Sequence, residues 1–263
     1  MAELIFLGTS GATATATRDN TSFLLKVEKE RLLIDCPGSI ISKIKRVGED
    51  PTQICTLFLT HTHPDHIYGL PSLVHSLMLV EKNLCIYGSP ETVSLVAQLL
   101  DLFKLRQPNI RYQTTLISIN SGEEKKISDT LRVKALSTPH HSSSLAYLFS
   151  LESIGQKWLF SGDTPPYPPL FEEAREVDLL VHEASAPQRF FEAYPELKTV
   201  HTSSFELGYL ASRAGVKRLI PCHFFGEVDF SLEEIEAEIR ANYLGELFIP
   251  QDLDFWPKNK RKF

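Results

Sequence analysis

The residues with the most chemistry in this chain are His61, His63, Asp65 and His66, which follow the apolar or small residues 55–59 almost directly. Histidines two apart on an extended chain project to the same side. His61 and His63 can therefore reach one metal ion together. Pro64 suits the start of a helix, because the N–H it lacks would go unpaired there anyway. Asp65 and His66 beyond it can turn toward a second ion. Imidazole nitrogen and carboxylate oxygen are the donors that suit Zn²⁺ and related ions. The bland alternative is a polar loop with a chance histidine cluster. Four potential ligands within six positions at a strand end favour metal binding instead.

The pattern His-x-His-x-Asp-His after an apolar strand resembles the signature of the metallo-β-lactamase superfamily. The resemblance demands three further ligands, each at a strand end. Candidates follow in order: Thr-Pro-His-His-Ser-Ser-Ser at 138–144, Trp-Leu-Phe-Ser-Gly-Asp-Thr at 158–164, and Leu-Ile-Pro-Cys-His at 219–223. Connecting segments resemble the ribonuclease Z and related phosphodiesterase branch. Residues 178–185 match its His-Glu-Ala-Thr segment, 200–203 its His-Ser-Thr loop, 18–25 its Arg-Asn-Thr-Ser segment and 4–10 its Leu-Gly-Thr-Gly opening. Of the adjacent histidines, the interval to Ala146-Tyr147 in that branch selects His140 and leaves His141 beside the site or at the surface. Two departures stand out. Asp-Cys-Pro-Gly-Ser at 35–39 replaces the branch's Asp-Cys-Gly-Glu-Gly. Between His140 and Asp163 lie twenty-two residues, room for a hairpin but not for the arm with which ribonuclease Z grips transfer RNA.

The resemblance implies a four-layer αββα sandwich, the metallo-β-lactamase fold, with metals along one edge of the sheets. The sequence pattern alone shows mixed α/β. By resemblance His61, His63 and His140 hold one divalent ion, Asp65, His66 and His223 hold a second, and Asp163 bridges them. Zinc is the first assignment, with Mn²⁺ or iron as alternatives for the same donors. Two ions about 3.5–4 Å apart could share a hydroxide for in-line attack on phosphorus. Asp65, Glu183 and His201 form the expected catalytic set, with His201 as general acid and Glu183 orienting it. Structural alternatives are a turn aspartate at 163, a helix-cap neighbour at 201 and a strand-end carboxylate at 183. His182, on the opposite strand face, reads as a buried, satisfied histidine, Asp35 as structural or ligand-orienting, and His75 as structural. Redox members of the superfamily carry Glu where this chain has His63, and the segments around Glu183 and His201 favour phosphodiesterases over glyoxalase II. The implied substrate is a phosphodiester, RNA or a small molecule. The alternatives are a lactone or thioester hydrolase and a non-catalytic metal-binding protein. Relatives in the branch are often homodimers.

With 263 residues, 33 acidic against 27 basic side chains and a net charge of −6, the chain does not favour a broad nucleic-acid surface. Its dense basic run, at 257–263, reads as a solvated end. Cys36, Cys55, Cys85 and Cys222 lack Cys-x-x-Cys spacing and read as reduced thiols in a cytoplasmic protein, Cys55 as a buried small hydrophobe. The start carries no signal-peptide pattern, and no run approaches the ~20 apolar residues of a membrane span. Patterning predicts strands at 4–7, 22–27, 31–35, 53–60, 84–87, 112–119, 131–137, 145–151, 157–161, 179–182 and 218–221. Helices are expected at 67–80, from an opening at Ser89-Pro90-Glu91 with an apolar stripe from Val93 to Phe103, and at 170–176, 204–214 and 232–242. With no repeat or linker, residues 1–263 read as one domain.

Overall fold

Alternation along the strands dictates the layering. In the computed structural model, which describes residues 2–257, β1 (Ala2–Gly8) turns Leu4 and Phe6 to one side and Ile5 and Leu7 to the other, all fully buried. It joins β2 (Ser22–Val27), β3 (Glu30–Ile34), β4 (Thr56–Phe58), β5 (Lys82–Gly88) and β6 (Tyr112–Ser118) in a sheet. The second sheet holds β7 (Glu124–Ser128), β8 (Leu131–Ser137), β9 (Leu145–Leu151), β10 (Gln156–Phe160), β11 (Leu179–Glu183), β12 (Arg218–Cys222) and β13 (Glu246–Leu247). A short β14 (Phe255–Trp256) returns to pair with β1.

Three apolar clusters make four layers. Between the sheets, Phe6, Phe23 and Phe58 meet Phe149, Trp158, Phe160 and Val181. Outside the first sheet, Leu33, Leu57 and Ile86 pack on α1 (Ile40–Arg46), α3 (Leu70–Ser76) and α4 (Pro90–Leu102), which follow or flank the one-turn α2 (Pro64–Ile67). Outside the second, Leu159, Leu180 and Leu219 pack on α5 (Pro168–Ala174), α7 (Ser204–Ala214) and α8 (Leu232–Arg240). The remaining helix, α6 (Gln188–Ala193), precedes α7. Caps fix the longer helices: Ser89, Ser203 and Ser231 accept the N–H of Thr92, Glu206 and Glu234.

Sequence patterning places most strands to within a residue or two, and the differences have local causes. The strand expected over 53–60 shrinks to Thr56–Phe58, because Asp50 caps a 3₁₀ turn at Pro51–Gln53. The helix expected over 67–80 is two helices, broken at Gly69, whose N–H donates to Cys36 O at 2.9 Å. Cys55 is half-buried rather than buried. Of the basic run, residues 258–263 lie outside the described residues.

The chain order brings chemistry to one edge. β3, β4 and β5 run parallel, as do β10, β11 and β12. Their C-terminal ends lead into Asp35, residues 60–66, Asp163, Glu183 and His223. Ligand sites in open α/β sheets favour this end of the strands. The segment with His61, His63 and Asp65 docks through Gly69, where an added Cβ would lie 1.9 Å from Pro37 O. Backbone on both sides leaves no flexible atom to yield. Gly69→Ala is expected to lower stability by about 1–3 kcal/mol, read as an earlier urea midpoint with an unchanged slope; an unmoved midpoint would show that the 36–38 turn gives way freely.

Candidate metal centre

Seven predicted donors converge where the two sheets meet. His61 Nε2 and His140 Nε2 stand 3.0 and 3.1 Å from His63 Nδ1. Asp163 Oδ2 lies 3.7 Å from His61 Nε2 and 3.8 Å from His140 Nε2. The same oxygen is 3.5 Å from His66 Nε2 and 3.1 Å from His223 Nε2. Asp65 Oδ2 completes the second group, 3.3 Å from His66 Nε2 and 3.7 Å from His223 Nε2. Donors held at the usual ~2.0–2.1 Å from a tetrahedral zinc would stand about 3.3–3.4 Å apart. Both groups bracket that spacing, and Asp163 Oδ2 is common to both. His66 Nε2 and His223 Nε2 are also buried without a hydrogen bond of good geometry among the described residues. Buried polar atoms left this way call for an unseen partner. The donor set fits divalent metal.

A second ring of contacts aims the imidazoles. His140 Nδ1 donates to Val200 O at 2.7 Å, which leaves Nε2 as the donor atom toward a metal. His61 Nδ1 meets Thr60 Oγ1 at 3.0 Å, and His66 Nδ1 meets Asp35 Oδ2 at 2.8 Å. Asp35 also accepts Thr60 N–H at 2.8 Å and Thr60 Oγ1 at 2.9 Å, which accounts for its place as a supporting residue. His223 Nδ1 lies 3.3 Å from Ser185 Oγ, whose hydroxyl donates to Glu183.

His201 sits over both groups, its ring centre 4.9 Å from that of His140 and 5.5 Å from that of His223. Its Nδ1 lies 3.0 Å from Glu183 Oε2, and Glu183 is fully buried. His182 packs on Phe171, with Nδ1 donating to Glu183 O at 2.8 Å, outside the cluster. His75 is exposed on α3, away from it. Cys222 joins the inter-sheet core and His223 does not follow it there.

The electrostatics divide the imidazoles. Burial lowers His61, His63 and His140 and keeps them neutral. Burial opposes charge on His66 and His223 as well, but Asp163 with Asp35 or Asp65 outweighs it, and His223 is pushed up to about 10. Burial likewise works against charge on Asp65 and Asp163, and the two imidazoles still hold both carboxyls below the ordinary range.

The site residues lie within a recognisable sequence relationship. The family described as anti-Pycsar protein Apyc1 matches residues 2–213. The chain belongs to that family. Ribonuclease Z of Methanosarcina acetivorans is 26% identical, over 95% of this chain and 99% of that one. That alignment runs over 308 positions against a 263-residue chain, so the relative carries insertions this family member lacks. In structure the chain is similar to the metallo-β-lactamase fold protein YhfI of Bacillus subtilis, with a TM-score of 0.80 at 20% identity over 97% and 98% of the two chains. Human short-form tRNase Z gives 0.77 at 20% identity over 96% and 98%. The fold is the metallo-β-lactamase fold, and the ribonuclease Z resemblance read from the motifs holds over nearly the full length.

Metal must displace the protons that His66 and His223 hold in its absence. A raised pKa keeps those protons bound below it, so apparent metal affinity should climb as pH rises from 6 to 8. Chelator-competition titrations at several pH values read this directly; an affinity flat across that range would contradict the arrangement.

Proposed function

We propose that this family member is a phosphodiesterase that works with two divalent ions, zinc foremost. His61, His63 and His140 would hold one ion, Asp65, His66 and His223 the other, with Asp163 shared. Bound there, the cations would supply Lewis acidity and charge that stabilise the attacking and departing oxygens of an in-line displacement. The observation that carries the reading is Asp163 Oδ2 within 3.1–3.8 Å of four histidine nitrogens, beside a half-buried histidine paired with a buried glutamate.

A departing alkoxide needs a proton, and His201 is built to give it. Glu183 fixes the ring through Nδ1, which leaves Nε2 to face the reacting ester. The His201 side chain is 14% exposed, so the ring reaches the site without being freely solvated. Burial opposes its charge, but the Glu183 carboxylate outweighs burial and holds it above the ordinary imidazole value. Glu183 is locked in turn by Thr164 N–H, Thr202 N–H and Ser185 Oγ. Asp65 presents Oδ2 to the second group of donors, leaving Oδ1 to take a proton from an attacking water.

This equipment favours esters whose departing alkoxide needs a proton over thioesters, whose thiolate leaves without one, and the ribonuclease Z relationship favours phosphorus over a lactone carbonyl. The turn from His140 to Asp163 is filled by β9, a short turn and β10. With the net charge of −6, that supports a small phosphodiester over the body of a transfer RNA. We take the described residues as one domain, since the inter-sheet cluster draws side chains from both sheets.

Four experiments test the reading. His201→Ala should slow alkyl phosphodiesters at least tenfold more than activated aryl ones; equal losses would remove its acid role. In the wild type, activity should fall as pH rises through the His201 pKa, which Glu183 raises, and Glu183→Gln compared at equal metal content should move that fall to lower pH. The zinc-loaded protein should hydrolyse an aryl phosphodiester and lose that activity in Asp163→Ala. A cut at the 3′ trailer of a precursor transfer RNA, absent in the same variant, would overturn the small-substrate preference.

A further inference from the structure

His141 stands beside the cluster and belongs to none of its three donor groups, the third of which joins Asp163, His201 and His223. Its ring centre lies 5.3 Å from that of His63, whereas the rings next to His201 are those of His140 and His223. The turn that carries it is pinned on three sides. Ser143 is buried, and its Oγ accepts Thr62 N–H at 3.2 Å and lies 3.1 Å from Thr62 Oγ1, which fastens this turn to the His61–His63 segment. Ser142 Oγ donates to Glu91 Oε2, in the first turn of α4, at 2.7 Å. His140, the preceding residue, is held by Val200 O.

The same contacts assign the tautomer. Ser143 N–H donates to His141 Nδ1 at 3.2 Å, and Ser143 Oγ lies 2.9 Å from that atom. A ring nitrogen that accepts an N–H has its lone pair engaged, so the ring proton sits on Nε2. Nε2 makes no hydrogen bond within the described residues and is not among the buried polar atoms. The ring is half-buried. A rigidly held N–H therefore stands open beside a cluster whose expected ligand is an anion.

We propose that His141 is a substrate-binding residue whose Nε2–H donates to an anionic oxygen of the phosphodiester on the His63 side of the cluster. This rests on the phosphodiesterase reading. The competing role is a capping ring that only steadies the Ser143 turn.

The test compares wild type, His141→Ala and His141→Gln, each loaded with zinc and checked for metal content. Two readouts are taken: kcat and KM for an alkyl-aryl phosphodiester, and calorimetric binding of inorganic phosphate. A hydrogen bond to a charged oxygen predicts that His141→Ala raises KM and the phosphate dissociation constant about tenfold, with kcat within about twofold. His141→Gln, which keeps an N–H donor, should recover most of that loss. Unchanged KM and phosphate binding in His141→Ala would overturn the proposal. So would a loss of bound zinc, or a fall in kcat alone, since the ring would then be steadying the turn or acting in the chemical step. Failure of the phosphodiesterase reading looks different: the wild type would be inactive, while the phosphate measurement would still decide the role of His141.

Discussion

The buried carboxylate of Glu183 is the constraint around which the site is arranged. An ionised carboxylate taken out of water costs several kcal/mol unless donors replace its hydration. At the end of β11, Glu183 receives Thr164 N–H, Thr202 N–H, Ser185 Oγ and the His201 ring. These donors come from three stretches of chain. Thr164 follows Asp163, Ser185 leads to His223, and Thr202 follows His201. Satisfying one charge therefore sets the positions of Asp163, His223 and His201, two candidate metal donors and the expected acid, together. A substitution at Glu183 acts on all three, so its effect cannot be assigned to proton transfer without metal content as a control.

Asp35 does the same for the first sheet. It accepts the backbone and hydroxyl of Thr60 and the Nδ1 of His66. Thr60 in turn touches His61. Each sheet thus buries one carboxylate behind its own histidines, and Asp163 stands between the two systems. The apolar cluster between the sheets sets how far apart these carboxylates sit. Packing there, around Phe23, Phe58 and Phe160, controls donor spacing as much as it controls stability.

Much of this was legible in the sequence because the donors occupy strand ends, where period-two patterning stops and polar residues begin. His61, His63, Asp163 and His223 all follow apolar runs that read correctly as strands. The neighbouring histidines at 140 and 141 were not separable by periodicity. Their division of labour depends on Val200 O and Ser143, which are distant or irregular in sequence. The two errors of extent, over 53–60 and 67–80, have a common physical origin. In both, a polar or glycine residue finds a tertiary backbone or capping partner that outweighs local propensity: Asp50 at the 3₁₀ turn and Gly69 against Cys36. The short β13 and β14 carry too few residues for any pattern.

Alternation also fails at the two places where the site needs it to fail. Ile34 and Cys222 face the inter-sheet core, so Asp35 and His223, one residue on, should face the outer helices. Both instead adopt left-handed backbone, with φ of 57° and 61°, and this turns them back toward the cluster. For residues other than glycine such a conformation costs about 1–3 kcal/mol and persists only where the surroundings impose it. At His223 they do: Phe224 N–H donates to Thr9 O, Gly11 N–H donates to Phe224 O, and the Arg18 guanidinium lies 5.0 Å over the Phe224 ring. At Asp35 the three hydrogen bonds to Thr60 and His66 serve the same end. The N-terminal segment 9–20, which carries none of the candidate donors, thereby supports the candidate metal site. Its resemblance to the Arg-Asn-Thr-Ser and Leu-Gly-Thr-Gly segments of the branch accompanies a physical role: it holds His223, the last candidate donor, in a backbone conformation that strand geometry alone would refuse.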